Sequence, residues 1–156
     1  MRRLRLAEWL AALAGVGLVV TLGLDWYGVR GRETGISAFA AFDVIDLLLI
    51  LVAATGVALA VLQATQDRPS LPVGAAVMSV TSGLFGILLV LYRIANEPGP
   101  DEFVDVRAPA YLGLLATVAL TAGGWRSLAD EEVRGLPPGP EPELRPAPRI
   151  AADAEP

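Results

Sequence analysis

The chain has 156 residues, 54% of them hydrophobic, with a formal net charge of −5 and a mean hydropathy of +0.54. It is far more apolar than a soluble domain of this size, and its acidic balance argues against a nucleic-acid partner. The absence of Cys and His excludes disulfides, thiol catalysis, histidine-ligated haem and ordinary zinc sites.

Four stretches contain no Asp, Glu, Lys or Arg: Trp9 to Leu24, Leu47 to Gln66, Pro69 to Tyr92 and Ala108 to Trp125, of 16, 20, 24 and 18 residues. A helix needs about 20 mostly apolar residues to cross a hydrocarbon core of roughly 30 Å. The pattern predicts an all-α protein, a four-transmembrane-helix antiparallel bundle over residues 1–134 followed by a disordered tail. Every Trp and Tyr lies near the end of one of these runs, where amphipathic rings sit at headgroup level.

The first predicted helix spans about 6–27. Its start, "MRRLRLAEWLAALAGVGLVV", has the basic end and apolar run of a signal peptide. No small-x-small cleavage pattern follows, so it reads as a retained anchor. The loop "GVRGRETGISAFAAF" suits a water-facing segment, with Ile36, Phe39 and Phe42 resting on the membrane surface. The second helix covers about 43–65. The short turn "QDRPSLP" makes it an antiparallel neighbour of the third, about 72–94, with Pro72 in a first turn. An acidic, proline-punctuated loop leads to the fourth, about 109–127, and "RSLADEEVR" extends it into the cytoplasm. The tail 135–156 is rich in Pro, Glu and Ala and reads as disordered and cytoplasmic. Short-loop arginines favour both termini inside, with Arg2, Arg3, Arg5, Arg68, Arg126 and Arg134 against Arg30, Arg32, Arg93 and Arg107.

Small residues recur four apart at Ala11/Gly15, Gly56/Ala60, Ser79/Gly83, Ser82/Gly86 and Ala119/Gly123. Such spacing lets helix backbones approach closely in lipid. The run "SVTSGLFG" is the densest and the one singled out as a packing face.

The candidate site is a polar cluster at the outer lip: Asp43, Asp46 and Arg93. Asp43 suits an N-cap and Asp46 position N3 of a capping box, with Phe42 and Leu47 as a hydrophobic staple and both acids at the positive end of the helix dipole. The 20 uncharged residues after Asp46 cross the core unaided, at about 30 Å. The acids therefore belong at the lip, where Asp46 meets Arg93. The competing reading starts the helix at Ser37 and makes the acids an intramembrane proton or cation site. Asp101, Glu102 and Asp105 follow no calcium-loop pattern and read as solvated loop charge. No GxSxG, P-loop, HExxH or GxGxxG pattern occurs. Neither catalytic nor metal-binding residues are assigned, no cofactor is implied, and an enzyme is not expected.

The segments "LDWYGV", "AFDVIDLLLILVA", "LPVGAAVMSV", "LVLYRIANEPG" and "AYLGLLATVALTAGGWRSLADE" resemble uncharacterised small four-transmembrane-helix membrane proteins of GC-rich actinobacteria, over about Trp9 to Glu132. The resemblance implies a class and a place, not an activity. The expected protein is a multi-pass, non-enzymatic structural or accessory subunit of the cytoplasmic membrane. Its partners are the lipid bilayer and either further copies of itself or another membrane protein. The alternative is a transporter or binder of a small solute or lipid, with a cleft near the outer face.

Overall fold

A computed structural model describes residues 6–29, 31, 33–42, 44–65, 70–99 and 103–132; the predicted tail, 135–156, lies outside them. Among the described residues the chain is mostly helical, with α1 (Leu6–Leu22), α2 (Ala38–Ala41), α3 (Ile45–Thr65), α4 (Ser70–Ala95) and α5 (Ala108–Glu132). Three short strands interrupt the helices: β1 (Asp25–Val29), β2 (Gly35–Ser37) and β3 (Val104–Val106). The segments Ile45–Thr65, Gly74–Ala95 and Ala108–Asp130 are long and apolar enough to cross a membrane. α1 is equally apolar but shorter, at 17 residues.

The first helix stops at Leu22 rather than Tyr27, because the chain there turns into β1. The amides of Gly23 and Leu24 bond back to the carbonyls of Val20 and Thr21 at 3.1 and 3.0 Å, tightening the last turn as helix ends commonly do. The second helix is also divided. α2 ends at Phe42, whose extended backbone (φ −116°, ψ 137°) breaks the helix, and α3 starts afresh at Ile45. α4 begins at Ser70, so Pro72 falls within its first turn. α5 runs past the predicted span end at 127 to Glu132, into the segment "RSLADEEVR" expected to extend it.

α1 packs against α3 and α5, and α4 packs against the same two helices, so the four long helices close a ring. Neighbours run in opposite directions. Gly15 meets the backbone of Ala53 while Gly56 meets Ala11, and Gly83 meets Thr121 while Gly124 meets Ser79. The Thr55 and Ser82 hydroxyls pair at 2.7 Å between α3 and α4.

The small residues make these approaches possible. A Cβ on Gly56 would stand 2.6 Å from the Ala11 carbonyl oxygen. One on Gly123 would stand 2.8 Å from both the Ala11 nitrogen and the Ala7 oxygen. Ala11, fully buried, is thus gripped by two neighbouring helices at once. The packing uses α1, α3 and α5 pairs as well as the "SVTSGLFG" run of α4, more than the single predicted face. Apolar layers fill the ring: Ala11, Leu59 and Ala76; Leu18, Val52 and Leu120; and Leu22, Leu49 and Val90 beneath the strands.

Gly123→Val should therefore lower stability by about 1–3 kcal/mol, since fixed backbone atoms cannot yield to the added carbons. Gly17→Val, with nothing within 4 Å, should stay within about 0.5 kcal/mol of the parent. Denaturant unfolding in detergent micelles measures both, and equal effects would contradict the packing.

Candidate functional site at the sheet-capped end

The strands form one antiparallel sheet in the order β2-β1-β3, over the end of the ring where α1 and α4 finish. Its core comes from an irregularity in β1. Asp25 pairs with Ser37 and Tyr27 with Ile36, leaving Trp26 as an extra residue. Such a bulge breaks the alternation of a strand. Trp26 and Tyr27, though adjacent, are both fully buried. This corrects the expectation that all Trp and Tyr lie in interfacial belts. Gly113 accepts the Trp26 ring, whose carbon a Cβ there would approach to 2.6 Å.

These side chains close helix ends. The last carbonyls of a helix have no partner within it. The Trp26 indole N–H donates to the Thr21 carbonyl of α1 at 2.6 Å. The Tyr27 hydroxyl donates to the Arg93 carbonyl of α4 at 2.8 Å. The Arg93 Nη2 donates to the Ala41 carbonyl of α2 at 2.9 Å. Phe42 sits among all three, its ring edge-to-face with Trp26 at 5.4 Å and with Tyr27 at 6.2 Å. The Arg93 guanidinium lies 4.2 Å from the Phe42 ring centre, where the ring quadrupole attracts a cation.

Of the predicted cluster, Asp43 lies outside the described residues. Asp46 and Arg93 are not brought together as predicted. Asp46 is the second residue of α3 rather than position N3, and its Oδ1 accepts the Leu47 amide at 2.7 Å. It thereby satisfies one of the donors left open at a helix start. Arg93 turns instead to Ala41 and Phe42, because a carbonyl and an aromatic face are presented to it by the α2 break. The staple is absent for the same reason: Phe42 is buried in the cap, whereas Leu47 is 64% exposed.

At the sheet surface, Arg107 lies 3.5 Å from Asp25 and donates to the Glu33 carbonyl at 3.2 Å. Both side chains are partly solvated, so the pair contributes at most about 1 kcal/mol. The Arg107 amide donates to the Trp26 carbonyl at 2.7 Å, tying α5 to β1. Asp105 lies on β3 opposite Gly28, while Asp101 and Glu102 are outside the described residues. Among the described residues no three acids or other ligating side chains converge.

The far end of the ring holds polar groups that hydropathy alone concealed. Glu8, Gln63 and Ser127 are buried there, and Gln63 Nε2 donates to Ser127 Oγ at 3.5 Å between α3 and α5.

No protein-family model, curated protein or solved structure matches the chain. The functional reading therefore rests on its own geometry, in which the cap cluster joins three helix ends and builds no nucleophile–base pair.

Burial pushes the Tyr27 phenol above its ordinary value of 10.0, with Glu97 adding to the shift and Arg93 opposing it. The neutral phenol is thus favoured by folding. Its contribution to stability should be whole below pH 10 and fall as pH rises through the raised value. Tyr27→Phe should cost about 1–3 kcal/mol by orphaning the Arg93 carbonyl and should remove that alkaline decline. Unfolding of both proteins across pH 8–12 checks this; an unchanged pH profile in the variant would contradict it.

Proposed function

We propose that the chain is a four-helix antiparallel bundle of the cytoplasmic membrane, with both termini inside, acting by association as a structural or accessory subunit. Exposed aromatics support the span. Tyr92 on α4 and Tyr111 on α5 fall at one level, given the Gly83–Thr121 and Gly86–Thr117 contacts. Trp9 on α1 and Trp125 on α5 fall within one turn of each other at the opposite level, given the Gly123–Ala7 contact. All four are between 52% and 63% exposed. Tyr111 and Trp125 are about 21 Å apart along α5, and α1 is about 26 Å long. The shorter helix thus covers the same interval, with the bilayer adapting to the small mismatch.

The observation that carries the mode of action is the filled axis. Ala11 touches helices on two sides, and the Leu18, Val52 and Leu120 layer follows directly above it. A solute path would have to displace these layers, whereas partners can reach the outward faces without disturbing them. The partners that fit are lipid, a second copy of the chain or another membrane protein.

One observation favours the alternative, a small-solute or lipid binder near the outer face. Arg93 Nε and Glu97 Oε2 are both buried without a hydrogen-bond partner among the described residues. Both readings meet in one experiment: native mass spectrometry of the protein extracted from its own membrane with mild detergent. The association reading predicts a stoichiometric second protein or a discrete homo-oligomer. A bare monomer retaining a small solute, lost in Arg93→Met, would replace it with the alternative.

A further inference from the structure

We infer that the groove between α4 and α5 holds one acyl chain of an anionic phospholipid, whose phosphate is met by Arg126. This rests on the membrane reading above and adds a ligand to it. The groove has a volume of about 430 Å³ and is walled by Val80, Leu84 and Ile87 of α4 and by Val118 and Ala122 of α5. Its single hydroxyl, on Thr121, is already bonded to the Thr117 carbonyl at 2.8 Å, so the wall offers a ligand only apolar surface. The groove closes at Trp125 and Arg126.

Two other grooves of similar size face outward, one between α1 and α5 and one between α1 and α3. Both are lined without any charged residue. The α4–α5 groove differs in ending on a cation beside an exposed tryptophan, at the level where aromatic rings and phosphates coincide. Arg126 is exposed and forms no ion pair among the described residues. Asp130 follows it one helical turn later on α5.

The dimensions suit a chain from one leaflet. Val118 to Arg126 covers about 12 Å, close to the roughly 15 Å that half a hydrocarbon core allows. An acyl chain seated between α4 and α5 would therefore bring its headgroup to Arg126. Cationic sites between helices at the membrane surface select anionic headgroups in this way.

The test uses the full-length protein in nanodiscs of phosphatidylcholine containing increasing phosphatidylglycerol with brominated chains. Bromine in the groove quenches Trp125, and native mass spectrometry counts lipid retained after release. The parent should prefer phosphatidylglycerol over brominated phosphatidylcholine about fivefold, the equivalent of about 1 kcal/mol. Arg126→Gln should remove the preference while leaving chain quenching in place. Ala122→Phe, at an exposed position that fills the groove, should reduce retention of both lipids. Equal retention of the two lipids by the parent, or a preference that survives Arg126→Gln, would overturn the proposal. So would a cross-link placing a second copy of the chain in the groove. Failure of the parent to enter nanodiscs at all would overturn the membrane reading on which the proposal rests, and is distinct from equal lipid retention.

Discussion

The structure depends on a constraint at the capped end. Helices that stop at a membrane face leave carbonyls pointing where water is scarce, and each unmet group is costly. Here a carbonyl at the end of α2 is met by Arg93 and one at the end of α4 by Tyr27, while Trp26 adds a second hydrogen bond to the Thr21 carbonyl of α1, which the Leu24 amide also reaches. Each of these donors comes from an element other than the one it closes. The helix ends are therefore tied to one another through Phe42, and the end of one helix cannot fray without loosening the others. The β1 bulge makes this arrangement geometrically available, because it turns two adjacent large side chains to the same face.

Within the ring a different physics operates. Lipid offers no hydrophobic driving force for helix association, so close packing must supply it. Ala11, held between Gly56 and Gly123, is the tightest expression of that rule. The two devices divide the molecule: small residues set helix spacing along its length, and aromatic and cationic side chains fix the order at one end. The interior left between them is filled by apolar layers.

Much of the helical plan was legible in the sequence, because charge-free runs of this length have few other uses. α3, α4 and α5 fall close to the predicted bounds. The end of α1 was only weakly marked: Gly23 follows its last residue, but Gly15 and Gly17 lie inside the same helix, so a glycine in this run does not by itself signal a stop. What ends the helix is tertiary: a sheet whose strands come from segments some 80 residues apart, β1 and β3. The same holds for the site. Arg93 was singled out in the sequence, but its partners are a backbone carbonyl and an aromatic ring, and neither carries a charge signal. Trp26 and Tyr27 looked like belt residues because position relative to a run cannot distinguish a ring facing lipid from one folded beneath a sheet. Glu8 stood at the edge of its run, and only the packing of α1 against α5 shows that it is buried.

The central proposal is that α1, although shorter than the three helices long enough to span, also crosses the bilayer, with the sheet on the outer face. The chain contains no cysteine, so single cysteines report without interference. Thr34→Cys lies in the exposed turn of the cap and Gly17→Cys inside α1, about two-thirds of the way along it. Labelling of intact cells with a membrane-impermeant maleimide should modify Cys at 34 and leave Cys at 17 unmodified until the membrane is dissolved and the protein unfolded. Ready labelling at 17 in intact cells, or protection at 34 that is lifted only by opening the cells, would contradict the account.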